Sequence, residues 1–260
     1  MVLGPSEPDR RVAGFADSDD AAAFEAKKRE DAARMAGDAE LQERARDVLT
    51  RADRHNWSYQ WSWLGRPIIQ MPEDIVLLQE ILWQTRPTLV IETGVARGGS
   101  VIFLASILEL IGEGRVIGIE IDLRSHNREA ILAHKLAPRI EIVDGSSVAE
   151  EVWGKVRAKI SGSDRVMVIL DSDHTHEHVY RELQLYAPLV TRDQFLVVSD
   201  TVVEDIPVQE HRPRPWGPGN NPSTALDAYL RESHAFARDP YFNGKLLLTS
   251  APRGYLRRVR

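Results

Sequence analysis

From Pro87 to the C-terminus, short apolar runs rich in β-branched residues alternate with stretches of helical periodicity, and this alternation restricts the fold more than any other feature. The runs fall near residues 88–93, 115–122, 139–143, 166–171, 195–199, 245–250 and 254–259 and read as strands. Helices fit between them near 100–111, 126–135, 147–159, 176–187 and 222–236. Continuous apolar runs need cover on both sides, so the pattern predicts a parallel sheet with right-handed helical crossovers. The last two runs differ, because Ala251-Pro252-Arg253-Gly254 makes a tight turn between them and predicts a hairpin. The expectation is an α/β, Rossmann-like fold: a mostly parallel seven-stranded sheet with a C-terminal antiparallel hairpin. In open sheets of this kind, ligands bind beyond the carboxyl ends of the strands.

The first strand ends in Glu92 and breaks into Thr93-Gly94-Val95-Ala96-Arg97-Gly98-Gly99-Ser100 before an apolar helix pattern. This reads as a cofactor loop. Gly94 allows a sharp exit, Gly98 and Gly99 let backbone N–H groups approach a ligand, and Ser100 is placed to cap the helix over 101–111. The spacing is not Gly-x-Gly-x-x-Gly, and no Lys follows as in a P-loop. Glu92 would repel a pyrophosphate but suits a cationic ligand such as S-adenosylmethionine. In the second strand Gly118, Glu120 and Asp122 share a face, and Glu120 is favoured over Asp122 to accept ribose hydroxyls. The third strand ends in Gly145, Ser146 and Ser147, which either hold an adenine edge or cap the next helix.

The fourth strand runs into Asp171-Ser172-Asp173-His174-Thr175-His176-Glu177-His178, and the fifth ends in Asp200-Thr201 with Glu204 and Asp205 beyond. Two carboxylates at neighbouring strand ends match a hard divalent cation such as Mg²⁺. A zinc site made of histidines is disfavoured, because His174, His176 and His178 cannot all face one point. A plainer account takes Asp173 or Thr175 as a helix cap with solvated histidines, and leaves Asp171 and Asp200 unexplained.

The other segments bound the problem. With 260 residues and 43% hydrophobic content, the chain suits one catalytic domain over 55–260 behind a helical extension over 1–54. Within that extension residues 1–17 read as loose and 18–54 as one or two exposed helices, solvated, at a subunit contact or flapping over the site. Residues 57–63 crowd Trp57, Tyr59, Trp61 and Trp63, as core packing or as a pocket wall. A formal charge of −6 argues against nucleic acid or an anionic membrane as partner, and the absence of Cys excludes disulfides and thiolate metal sites. No signal-peptide core or membrane-length apolar run is present, so a soluble cytoplasmic protein is expected. The apolar aromatic surface near the N-terminal helices predicts a homo-oligomer. The long loop over 202–221 carries Arg212, Arg214 and Trp216 and reads as a lid that binds the acceptor, or as a rigid surface loop.

The stretches 91–100, 118–122, 170–174, 199–207, 216–222 and 254–258, taken in order and spacing, resemble the cephalosporin hydroxylase / rhamnosyl O-methyltransferase family over about residues 55–260. The resemblance implies a class I methyltransferase fold and S-adenosylmethionine- and Mg²⁺-dependent O-methylation of a deoxysugar, on a natural product or a nucleotide-linked precursor. Similarity to catechol-type O-methyltransferases implies that Asp171 and Asp200 ligate the metal and that His174 is the base, a neutral imidazole at pH 7. Related members carry Glu-Asp where this chain has Ser199-Asp200, so Thr201, Glu204, Asp205 or a water is left as third ligand. Competing readings are a hydroxylase partner in β-lactam tailoring and a cofactor-binding scaffold without catalysis.

Overall fold

The computed structural model of the chain describes residues 21–260; the loose run expected over 1–17 lies outside them. The extension forms two helices, α1 (Ala21–Gly37) and α2 (Ala39–Asp53). Asp38 separates them and accepts from the Leu41 N–H, capping α2. α2 is no free arm, because Leu49 is buried against Val202 and Ile206. A hairpin of β1 (Trp61–Trp63) and β2 (Arg66–Ile68) follows, then α3 (Pro72–Thr85), opened by Pro72 as the sequence predicts. The crowded aromatics divide. Trp63 packs edge-on against Phe103 with ring centroids 5.0 Å apart and donates to Ser106 Oγ at 3.0 Å, whereas Tyr59 and Trp61 stay exposed.

Five parallel strands form the body of the sheet: β3 (Leu89–Thr93), β4 (Arg115–Glu120), β5 (Ile140–Asp144), β6 (Val166–Leu170) and β7 (Phe195–Val198). β8 (Phe236–Arg238) and β9 (Tyr255–Arg258) add antiparallel at one edge, giving the order β5-β4-β3-β6-β7-β9-β8. The connecting helices are α4 (Gly99–Ile111), α5 (Ser125–Leu132), α6 (Glu150–Arg157), α7 (His176–Tyr186), α8 (Pro222–Glu232) and α9 (Pro240–Gly244). Successive strand residues go to opposite faces. Val90, Val116, Met167 and Val197 join α3 and α4 in one core layer, and Leu89, Ile117, Val168 and Leu196 join α6, α7 and α8 in the other. Each such side chain contributes about 1.5–3 kcal/mol by leaving water. The strand order reverses at β3, with β4 on one side and β6 on the other, so a crevice opens beyond the carboxyl ends of these three strands. No helix among the described residues is long and apolar enough to cross a membrane.

One expected strand is absent and another was hidden. Residues 245–250 form no strand, and β9 pairs instead with β8, a three-residue segment that starts at the last residue of the run read as the last helix. The cause lies in the first turn of α3. Glu73 Oε2 accepts from the Leu247 and Leu248 N–H groups at 2.7 and 3.1 Å, and Asp74 accepts from Thr249 Oγ1, the Ser250 N–H and Tyr255 OH. Donors that a strand would pair are thus taken by carboxylates.

Asp74 is 1% exposed, and burial raises its carboxyl from 3.8 to about 6 against the pull of these donors. The folded state therefore binds this proton more tightly than the unfolded chain. Stability linked to Asp74 is full at low pH and declines as pH rises from about 4 to 6. Asp74→Asn removes the titration. Relative to that variant, the wild type should lose on the order of 3 kcal/mol across the window, at 1.36 kcal/mol per pKa unit. Urea melts of both proteins at pH 4 and pH 7 measure the difference, and parallel pH curves would refute it.

Candidate active site

Beyond β3 the chain turns through Gly94, Ala96 and Gly98, all with positive φ (86°, 48° and 84°). Alternating left- and right-handed residues aim successive N–H groups at one point. That point is filled by Glu120 Oε2, which accepts from Val95 at 2.9 Å and Ala96 at 2.8 Å. A carboxylate seated in the loop explains why it is no phosphate cradle. Glu120, at the end of β4, lines a cavity of about 310 Å³ together with Gly145, Ser146 and Ser147. Asp122 stands apart, paired with Arg124 at the surface. Neither serine caps α6, which begins at Glu150 behind Ala149. Ser147 Oγ instead lies 3.0 Å from His178 Nε2.

Ser100 does not cap α4 either. Gly98 occupies the cap position, and Ser100 Oγ donates to Glu92 Oε2 at 2.9 Å. Glu92 is 2% exposed and is tied to the crevice by its bond to Ser100. Burial, with Asp171 adding to it, pushes the Glu92 carboxyl well above its ordinary range, the state of an acid that lacks a cation. Gly94 is demanded by the sheet as much as by any ligand, because a Cβ there would overlap the Asp171 carbonyl oxygen. Gly99 makes room for the Pro67 carbonyl. Gly94, Arg97, Gly99 and Ser100 line a second cavity of about 290 Å³; Glu92 and Gly98 line neither.

That second cavity also contains Asp171, His174 and Asp200. Asp171 follows β6, and its N–H donates to Thr93 O at 3.0 Å. Asp200 follows β7 with φ 53°, a left-handed conformation that costs a non-glycine residue roughly 1 kcal/mol or more. His174 Nε2 lies 3.6 Å from Asp171 Oδ1 and 3.5 Å from Asp200 Oδ2. One ligand atom from each of the three lies within 4.8 Å of the others. Burial raises the Asp200 carboxyl to about 6, with His174 opposing and Asp171 adding to the rise. Burial works to lower His174, but Asp200, Asp171 and Asp173 outweigh it and lift the imidazole to about 9. Without a metal ion, these carboxylates favour the imidazolium at pH 7; the neutral imidazole expected from the sequence belongs to the metal-loaded site.

The residues left open as third ligand are engaged elsewhere. Thr201 Oγ1 donates to Pro252 O at 2.7 Å, Glu204 accepts from the Gly219 N–H at 2.8 Å, and Asp205 pairs with Arg253 at 2.7 Å. Among the described residues the third group within reach is His174. The other histidines are not solvated: His176 Nδ1 meets Thr224 Oγ1 at 2.8 Å, and His178 bridges Ser147 and Ser172.

The two cavities share Gly94, Ala96, Asp171 and Ser172, so the trio stands where they meet. Trp216 packs against His174 at 4.8 Å between ring centroids, and the Arg214 guanidinium lies 5.4 Å from the Trp216 ring. Arg212 also lines the second cavity, where it pairs with Asp53 and lies 5.5 Å from the Tyr59 ring. His211 Nε2 joins Asp53 at 2.8 Å. The loop over 202–221 is thus pinned to α2, and Asp53 and Gln70, both missed in the sequence, help form the wall beside Tyr59. Only the aromatic crowding over 57–63 signalled this.

A mostly parallel sheet reversing at β3, with a glycine loop, an acid at the end of β4 and carboxylates beyond β6 and β7, defines the Rossmann-like O-methyltransferase class. The chain belongs to the Rhamnosyl O-methyltransferase/CmcI family, whose profile matches residues 55–259, and it is a methyltransferase. It is 31% identical over 230 residues to the rhamnosyl O-methyltransferase of Mycobacterium tuberculosis, a match covering 84% of this chain and 88% of that protein. The rhamnosyl O-methyltransferase of Mycobacterium leprae is 33% identical over 215 residues, covering 78% and 87%. The fold matches CmcI with Mg and SAM at a TM-score of 0.54, with 18% identity over 78% of each chain. CmcI with SAH matches at 0.53 and 21% identity, over 77% of this chain and 83% of that one.

Proposed function

We propose that the chain is an S-adenosylmethionine- and Mg²⁺-dependent O-methyltransferase of a natural-product pathway, acting on a sugar hydroxyl. The acceptor is a deoxysugar such as rhamnose, on a glycosylated small molecule or a nucleotide sugar. The observation that carries this reading is the Asp171, His174 and Asp200 trio at the junction of two cavities. The rhamnosyl O-methyltransferase relatives and the CmcI form with Mg and SAM support it.

The donor set suits the metal. Two acids that share one imidazolium, one of them lifted by burial and by its neighbour, lack the positive charge that a hard dication brings. Asp171 and Asp200 would hold it, and bound Mg²⁺ would lower the pKa of an acceptor hydroxyl and fix its orientation. His174 Nε2 takes the hydroxyl proton, once its own has left. Glu120 receives ribose hydroxyls, and Glu92 beneath Ser100 balances the cofactor's positive amino end. Trp216 and Arg214 bound the acceptor and keep water from His174. Alignment of the two substrates across the shared wall then supplies several kcal/mol of the barrier reduction.

Asp53 belongs to the acceptor side, since it pins Arg212 and His211. Asp53→Ala should raise the acceptor KM roughly tenfold, the worth of one partly exposed ion pair of about 1 kcal/mol or slightly more, and leave S-adenosylhomocysteine affinity unchanged. Steady-state kinetics with calorimetry check this, and an unchanged KM would remove the loop from the acceptor site. Self-association belongs to the same reading, supported by exposed Tyr59, Trp61 and Trp83 and open to test by light scattering.

Incubation with S-adenosylmethionine, Mg²⁺ and a panel of rhamnosyl and other deoxysugar acceptors tests the substrate class. The expected result is S-adenosylhomocysteine and a methyl ether on the sugar. Turnover of catechols alone would reassign the acceptor, and cofactor binding without turnover of any acceptor would favour a scaffold.

A further inference from the structure

The geometry points to Gln70 as a positioning residue that keeps Asp171 a one-oxygen ligand and thereby sets a preference for Mg²⁺ over a larger cation. This inference rests on the metal reading above and concerns a side chain that reading does not use. Gln70 lies on the run between β2 and α3, remote in sequence from the strand ends, and is 9% exposed. Its Nε2 donates to Asp171 Oδ2 at 2.8 Å. The other oxygen, Oδ1, faces His174 Nε2 at 3.6 Å. One carboxylate therefore has two differently employed oxygens, one tied to an amide and one turned to the trio. The backbone of Asp171 is held as well, its N–H donating to Thr93 O at 3.0 Å and lying 3.2 Å from Thr93 Oγ1.

Gln70 is itself anchored on both sides. Ahead of it, the Pro67 carbonyl fills the space that a Cβ at Gly99 would need, so β2 is seated on the start of α4. Behind it, α3 is fixed through Asp74 to Thr249, Ser250 and Tyr255. A neutral amide is the fitting donor here. It occupies a lone pair of Asp171 without cancelling the charge that a dication needs, as Lys or Arg would.

Mg²⁺ is small and demands near-octahedral geometry, whereas Ca²⁺ takes about six to eight oxygens and accepts two from one carboxylate. Holding Oδ2 away from the trio opposes two-oxygen binding and so favours the smaller ion. Partners of this kind, which bond a ligating side chain and not the metal, typically contribute about 10–100-fold in metal affinity.

Calorimetric titration of metal-free wild type, Gln70→Met and Gln70→Leu with MgCl₂, and separately with CaCl₂, tests the assignment. Met keeps the length of the side chain but has no N–H, so a role in packing alone predicts no change. We expect Mg²⁺ to bind each variant roughly 10–100-fold more weakly, Ca²⁺ to lose less, and the Mg²⁺ to Ca²⁺ affinity ratio to fall. S-Adenosylhomocysteine affinity and the melting temperature of Gln70→Met should stay near wild type. Equal losses for both cations, or none, would overturn the role of Gln70 and leave the site standing. A wild type that binds neither cation would overturn the metal reading and this inference with it.

Discussion

Asp171→Asn and Asp200→Asn should each lower Mg²⁺-dependent methyl transfer by roughly 10³-fold or more, the several kcal/mol that a metal ion supplies to a reacting oxygen. An amide keeps the size of the side chain and removes the charge. Asp200 is approached by His174 and Asp171, and Asp171 by His174 and Gln70, so neither position has a spare anion to substitute. S-Adenosylhomocysteine affinity should stay within a few-fold of wild type, because Glu120 and the loop over 94–100 are untouched. Chelation of the wild type should reproduce the loss. A variant that keeps near-normal turnover would exclude that carboxylate as a ligand.

His174→Ala should slow the chemical step by about 10²–10⁴-fold, the usual share of a positioned base. The neighbours of His174 add a second, more particular expectation. Its imidazole is lifted to about 9 in the metal-free protein, so at pH 7 it holds a proton that a dication on Asp171 and Asp200 must expel. Loading Mg²⁺ should then release about one proton, read as a heat of binding that varies with the buffer's ionisation enthalpy. By the same linkage Mg²⁺ affinity rises with pH towards about 9 and flattens above it. His174→Ala should lose both the proton release and the pH slope. Binding by the wild type without proton release would contradict the imidazolium assignment.

Much of this was legible in the chain because the physics behind it is local. β3, β4, β6 and β7 announce themselves as runs buried on both faces, and Glu120, Asp171 and Asp200 fall at strand ends that those runs locate. What was not legible depends on distant partners. Residues 245–250 are as apolar as a strand, but their donors are taken by Glu73 and Asp74, which lie 174 and 176 positions away in the chain from Leu247 and Ser250. β8 is three residues that acquire strand character only by pairing with β9. The pairing of Arg212 with Asp53 joins residues 159 positions apart, which no local pattern announces. The protonation of His174 follows from two carboxylates that the sequence places 3 and 26 positions away, and that only the fold brings close. Gln70 reads as an ordinary loop residue, and nothing local to it signals the bond to Asp171.

The central claim is that Asp171 and Asp200 hold the divalent ion, with His174 next to it and the bound cofactor alongside. Anomalous diffraction from crystals grown with Mn²⁺ and S-adenosylhomocysteine tests it directly. A single strong peak within ligand distance of the Asp171 and Asp200 carboxylates, next to the cavity that holds the cofactor, is the predicted result. Occupied cofactor density with no peak at the trio, or with the metal bound elsewhere, would contradict the account.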